Sequence, residues 1–400
     1  MRRLRARPGL GLTALVLVPA TLSLSSAGET LAQGLPIPEI RLQGGQELRL
    51  PFSSVQALVT LPDGGFLVAD LLEQALYRLN QDGTRRAQVG RNGNRPGEYL
   101  LPTELLPLAG DSALHFDGAQ SRYIVIRPDG TVGATFQLRG EGAAFADRTP
   151  WGTDQRGGIY FRAEGPTDST ETASGPTDRA FILRYDRRNG RVTPVTSVRS
   201  APFPSVLLPR GNTPAAEALA QVTPPLPLPE PFLLEDAWGI ALDGRVAVAR
   251  VEEDRVEWHG TGGALMEGPD LQSEVRRVRV PDMRRWLADW QQARLSEGYP
   301  PQEILRFRID DVDWPVYFPP FSGGRMPVDR SGNLWLLRSH PSEPEAIYEV
   351  IDGQGVTRAR IVLPPNTRLE GFGEGAIFLV RQDALGLHWL QRYPWLDGGR

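Results

Sequence analysis

Val55–Gly90 reads VQALVTLPDGGFLVADLLEQALYRLNQDGTRRAQVG. Apolar runs alternate with turn chemistry: Asp63-Gly64 follows the first run and Asp82-Gly83 follows the third. Asp-Gly between alternating apolar runs is a strong hairpin signal, because glycine adopts the positive φ that tight hairpin turns require. The stretch therefore spells strand, turn, strand, short link, strand, turn, strand. A meander of this kind cannot bury both of its faces alone, so the question it raises is what packs against it.

The same order returns along the chain. Thr103–Leu138 (TELLPLAGDSALHFDGAQSRYIVIRPDGTVGATFQL) keeps it, with Gly-Asp-Ser at the first turn and Asp-Gly at the last. A third unit runs through WGTDQRGGIYFRAEG and FILRYDRRNGRVTPVTSV, with an insertion in its middle, and Ala237–Gly268 makes a fourth. MPVDRSGNLWLLRSH with AIYEVIDGQGVTRARIVLP makes a fifth, and Arg368–Leu396 a sixth that stops one strand short. Second strands are expected to start near Phe66, Ala113, Ile159, Arg245, Asn333 and Ala376. Four-stranded units repeating every ~40–50 residues mean a β-propeller, in which each unit covers the faces of its neighbours.

Two gaps are about twice the period, but their sequences do not hide further blades. PFPSVLLPRGNTPAAEALAQVTPPLPLPEPF is proline-rich, and DMRRWLADWQQARLSEGYPPQE is helical in period. The expected architecture is all-β: a six-bladed propeller over 36–397 with a Pro-rich insert at about 201–236 and a short helical insert within about 281–320. The strand missing from the sixth unit is expected at the other end, where Ile37–Gly45 (IPEIRLQGG) alternates ahead of the first blade. Pairing there leaves no raw edge and makes the two ends of the chain neighbours in one sheet.

Composition narrows the function classes. All 44 positive charges are arginine, against 48 acidic residues, for a formal charge of -4. No basic footprint of a nucleic-acid binder is present. The N-terminus carries Arg2, Arg3, Arg5 and Arg7, then an apolar run from Leu10 to about Leu24, then small residues that fit cleavage after Ala27 or Ala32. This is the pattern of a secretory signal peptide over 1–32, and it implies a periplasmic or secreted protein with no span after cleavage. The absence of cysteine excludes disulfides, thiolate nucleophiles and lipid acylation at cysteine.

Gly90–Pro102 (GRNGNRPGEYLLP) raises the possibility of a phosphate loop. Its spacing fits neither the dinucleotide turn nor the Walker loop, which needs a lysine this chain lacks. Instead VGRNGNRPGEYLLPTEL resembles the inter-blade linker of NHL-repeat propellers, FLVADLLEQALYRLNQDG is similar to the repeat itself, and VDRSGNLWLL resembles related repeats of bacterial sensor ectodomains. With the signal pattern, the chain looks like the exported six-bladed propeller proteins of GC-rich bacteria.

Candidate chemistry is thin. His115, His259, His340 and His388 occupy unmatched places in different blades, so they are not expected to converge on a metal. That departs from the histidine-bound metal of the amidating-lyase branch that the fold resembles. Asp310, Asp311 and Asp313 cluster ahead of an aromatic run, but lack the turn glycine and distal glutamate of a calcium loop. No Gly-x-Ser-x-Gly elbow appears. The most suggestive stretch is PDMRRWLADWQQARLSEG, in which Trp286, Leu287 and Trp290 form one face of a helix of about three turns, with Asp282 as its cap. Arg284, Arg285, Trp286 and Trp290, with Trp314 nearby, are the candidate binding residues, since Trp and Arg are enriched in binding hot spots. Either the tryptophans pack down onto the propeller, or the helix forms a lid over the channel. The sequence points to an exported, monomeric binding module for a peptide, glycan or protein partner, with no cofactor. The alternative is a lactonase-like hydrolase or lyase with channel carboxylates, for which calcium would be the ion.

Overall fold

The computed structural model describes residues 36–395 apart from 109, 111, 147, 165–177, 201–205, 208–225, 297 and 339–344. His340, the signal pattern over 1–32 and most of the Pro-rich insert lie outside these residues. The described strands form six blades, and Ile37–Arg400 is one compact unit.

Blade one holds Val55–Thr60, Phe66–Asp70, Ala75–Leu79 and Arg86–Val89, from the axis outward. Pro102–Leu108, Ser112–Asp117, Arg122–Ile126 and Val132–Phe136 make blade two, and Gly152–Thr153, Gly158–Glu164, Arg179–Asp186 and Val192–Arg199 make blade three. Blade four is Ala237–Ile240, Val246–Arg250, Arg255–His259 and Leu265–Asp270. In blade five the inner strand shrinks to a single bridge, Val328 to Leu334, followed by Leu334–Leu337, Ile347–Ile351 and Thr357–Val362. Thr367–Gly373, Ala376–Gln382 and His388–Pro394 begin blade six. Every second strand starts within one residue of the position expected from the repeat.

What holds the blades is the two-residue period of a strand. Successive side chains face opposite neighbours, so Leu67 and Ala69 enter the core shared with blade two, while Phe66 and Val68 enter the core shared with blade six. Each of the six buried clusters joins one adjacent pair of blades. This is why the strands read as continuous apolar runs rather than half-polar ones.

Carboxylates fix the links. Asp70 accepts N–H bonds from Ser53 (2.8 Å) and Ser54 (3.1 Å), and Asp117 accepts them from Leu100 and Leu101 (both 3.1 Å). In blade four the corresponding strand ends in Arg250, and the carboxylate comes from the link instead: Asp236 accepts the Val251 N–H at 3.0 Å and pairs with Arg250 at 2.9 Å. Gly90–Pro102 is architecture, as expected. Arg91–Asn92 pairs with Glu98–Tyr99, the Glu98 carboxylate takes the Arg95 N–H at 2.9 Å, and the buried Tyr99 hydroxyl accepts from Leu76 N–H and donates to the Val89 carbonyl.

The N-terminal segment closes the ring, with a correction of register. Glu39–Arg41 extends blade five, lying parallel to Arg360–Val362, and only Gln46–Glu47 becomes the outer strand of blade six, antiparallel to Gln391 and Arg392. Leu48 N–H to the Leu390 carbonyl (2.8 Å) and a Phe52–His388 bridge continue the seam. The reason lies in the glycines once counted into the strand. Gly44 has φ +71° and turns the chain from one blade to the next, and Gly45 lies so close to the Tyr393 ring that a Cβ there would fall 2.2 Å from it.

The inserts hold no extra blade among the described residues. The helical one forms α1 (Val280–Ser296) and α2 (Pro301–Ile304). The first is longer than the expected three turns because Pro281 is tolerated in an opening turn. Asp282 is not its cap: buried inside the first turn, its carboxylate reaches back to the Arg279 N–H at 3.0 Å. In the Pro-rich insert, Leu226–Pro227 pairs with Val206–Leu207 as a short β-ladder.

Candidate functional site

The axis carries a cavity of about 460 Å³ at the face where first strands turn into second strands. All six blades line it: Leu58 to Thr60, Pro107 and Leu108, Gln155, Leu242, Val328 and Arg330, and Phe372 are its principal walls. The size lies in the range of small-molecule sites, and the lining mixes apolar walls with Thr60, Ser112, Gln155 and Arg330. Asp154 and Asp329 also touch it, but their carboxylates are consumed. Asp154 takes the Gly158 N–H, the Tyr160 hydroxyl and Arg184, and Asp329 takes the Asn333 N–H and the Trp335 indole. Arg330 differs. Its guanidinium crosses from blade five to donate to the Thr60 hydroxyl at 3.2 Å, and no carboxylate meets it among the described residues.

Deeper in the channel lies a belt of charge. Glu104 sits on the inner strand of blade two and Glu370 on that of blade six. Arg325 belongs to Gly324–Arg325, a short strand that the returning insert lays in parallel along the axial edge of blade four. Arg325 reaches Glu104 at 3.3 Å, and blades two and four are not neighbours, so this pair is made across the axis. Its guanidinium also lies 5.8 Å from the Trp151 ring. Arg368 pairs with Glu370 at 3.1 Å and donates to the Val55 carbonyl at 2.6 Å.

Burial raises the carboxyls of both glutamates above their ordinary range. Glu370 is pushed up to about 6 by desolvation first, Arg368 opposes the rise, and Glu104 adds to it. A buried carboxyl near a like charge favours its neutral form, so one proton is readily held in this belt at mildly acidic pH. Sequence reasoning missed these residues because the inner strands were scanned for apolar period. The signal was a charge inside a run that must be buried on both sides, as in PTELLPL and TRLEGFG.

The residues singled out by the sequence lie elsewhere. Trp286 stacks edge-on to Trp314 (5.6 Å) and meets Phe232, which also meets Phe318 at 4.7 Å. Trp290 packs against Phe307 at 5.3 Å. These rings make a small core inside the insert, joined to the blade three–four link through Phe232, and none of them lines the axial cavity. The structure therefore places both tryptophans in packing rather than in a lid over that cavity. Arg284 and Arg285 are exposed on the outer side of α1.

Described histidines do not gather. His115 is buried with Nδ1 against the Glu104 carbonyl, His259 meets Glu257, and His388 accepts the Val55 N–H. Asp310, Asp311 and Asp313 are exposed, and Asp311 caps its own turn by accepting the Arg308 N–H. Among the described residues no three His, Asp or Glu side chains are grouped to hold a metal ion.

No family model matches the chain and no curated protein matches its sequence. Solved structures do resemble it. A Bacteroides fragilis protein described as exported is 11% identical with a TM-score of 0.46, over 90% of this chain and 99% of that one. A streptogramin B lyase is 11% identical with a TM-score of 0.37, over 88% and 87% of the two chains. A gluconolactonase from Xanthomonas campestris is 11% identical with a TM-score of 0.38, over 90% and 95%. The likeness spans nearly the whole chain and is one of fold; the fold itself, a six-bladed β-propeller, stands on the strand pairing.

Proposed function

We propose that this chain is an exported binding propeller that takes a small amphipathic anion into the axial cavity, the carboxyl end of a short peptide included. The observation that carries the reading is a cavity walled by all six blades, part apolar and part polar, in which the guanidinium of Arg330 meets no carboxylate among the described residues. A guanidinium with no carboxylate partner beside apolar walls selects planar carboxylates through two parallel hydrogen bonds. Export rests on the arginine-headed apolar N-terminus, and no described helix is long and apolar enough to cross a membrane.

The test is thermal shift and calorimetry against a panel of amphipathic carboxylates and short free-acid peptides. A binder at about 100 times its Kd adds about 2.7 kcal/mol of stability. Arg330→Gln is expected to weaken binding at least tenfold, and Leu108→Trp, which fills the cavity, to abolish it. A panel without a binder, or binding untouched by Leu108→Trp, overturns the reading.

A second reading is favoured by Glu370. A carboxyl held near 6 beside Glu104 suits proton transfer, as in a hydrolase or lyase. Turnover of lactone and ester substrates lost in Glu370→Gln but kept in Arg330→Gln would favour it over simple binding.

A further inference from the structure

The charge on the helical insert is arranged against its own stability. Arg279 precedes α1, and Arg284 and Arg285 follow within its second turn, although a helix N-terminus favours negative charge. Asp282, the acid in the opening turn, is buried and tied to the backbone of Arg279. Arg277 stands beside them on a short ladder, where residue 277 pairs with Tyr317 and the Val278 N–H bonds the Val316 carbonyl at 3.0 Å. All four arginines are exposed, and none meets a carboxylate among the described residues. The protein as a whole carries -4, so this local excess of positive charge runs against the global balance.

Apolar side chains stand exposed among these arginines. Val275 is 75% exposed, Val316 55%, Tyr317 53% and Val280 48%. Across the ladder Tyr317 lies directly opposite Arg277, and Val275 shares the face of Arg277 by the two-residue period. Val280 and Arg284 are one helical turn apart on the outer side of α1. None of these residues lines a described cavity.

We infer that this face of the insert docks on an anionic phospholipid surface. Guanidiniums interleaved with exposed aliphatic and tyrosyl side chains match a bilayer interface, where phosphates meet the former and the acyl boundary takes the latter. The attraction is worth about 1 kcal/mol per arginine near such a surface, roughly fivefold in partitioning.

The experiment is vesicle co-sedimentation of protein starting at Gln33, which retains the whole closed ring and leaves out the apolar N-terminal run. Binding is expected to vesicles with 30% phosphatidylglycerol and not to pure phosphatidylcholine, with release as salt rises from about 0.1 to 0.5 M, where screening shortens to a few ångströms. Replacing Arg277, Arg279, Arg284 and Arg285 by Ser is expected to lower partitioning on the order of 10³-fold. The milder pair Val280→Ser and Tyr317→Ser keeps the charge and weakens only the salt-resistant part. Equal binding by the arginine variant overturns the inference, and so does failure of the parent protein to bind anionic vesicles. Binding to an acidic polypeptide but not to vesicles also overturns it, and gives the face to a protein partner.

Discussion

Glu370 shows what one carboxyl costs when it is placed on the axis. Its folded pKa, about 6, lies above the ordinary value, so between about pH 4.5 and 6 the folded chain binds more protons than the unfolded one. Stability from this group is therefore full below that window and falls as pH rises through it, by about 2 kcal/mol in all. Glu370→Gln removes the dependence. Urea melts of both proteins at pH 4.5 and pH 7 are expected to show the variant gaining about 2 kcal/mol relative to the parent at the higher pH. The difference is the quantity to measure, because His115, pushed down to about 4 by complete burial, titrates in the opposite sense. A difference that stays flat with pH would show that Glu370 is solvated in the folded protein.

At the scale of elements, the helical insert is a second small core rather than a cover for the axial cavity. Trp286 holds it through Trp314 and Phe232, half-buried. Trp286→Ala is expected to loosen the insert by about 2 kcal/mol while leaving the blades paired. Limited proteolysis would then speed up within residues 271–323, with the main thermal transition moved by no more than about 2 °C. Collapse of both together would show that the insert braces the ring. The blades were legible in the sequence because each is a local device: Asp63-Gly64, Asp82-Gly83 and the apolar runs between them need only their neighbours to be understood. The glycines of Gly90–Pro102 were legible for the same reason. The closing strand was read one segment early, since alternation in Glu39–Arg41 looks the same whichever blade it joins, and only the approach of Gly45 to Tyr393 decides. Of the charged belt, only a glutamate inside an otherwise apolar run was legible, and its partner was not. Arg325 meets Glu104 from a distant stretch of chain, and nothing local to either residue announces the pair.

The whole molecule is a ring in which each blade depends on two neighbours, so stability is expected to be lost as a unit. Deleting residues through Ser54 strips blade six of its outer strand and exposes the edge of His388–Pro394. Aggregation and a broadened melt are expected, since unpaired edges template further pairing. Moving residues 37–54 to follow the C-terminus through a short linker is expected to restore the cooperative transition. If the truncated protein melts like the parent, the seam is ornamental.

That seam has a consequence in time. Gln391 donates to Glu47 across 344 residues, so the two strands of the seam are synthesised far apart in time. No partial product can latch, however well its finished blades are folded, and such distant pairing is slow to form. A product that lacks His388–Pro394 therefore stays open-edged, and an open edge distinguishes an interrupted propeller from a closed one.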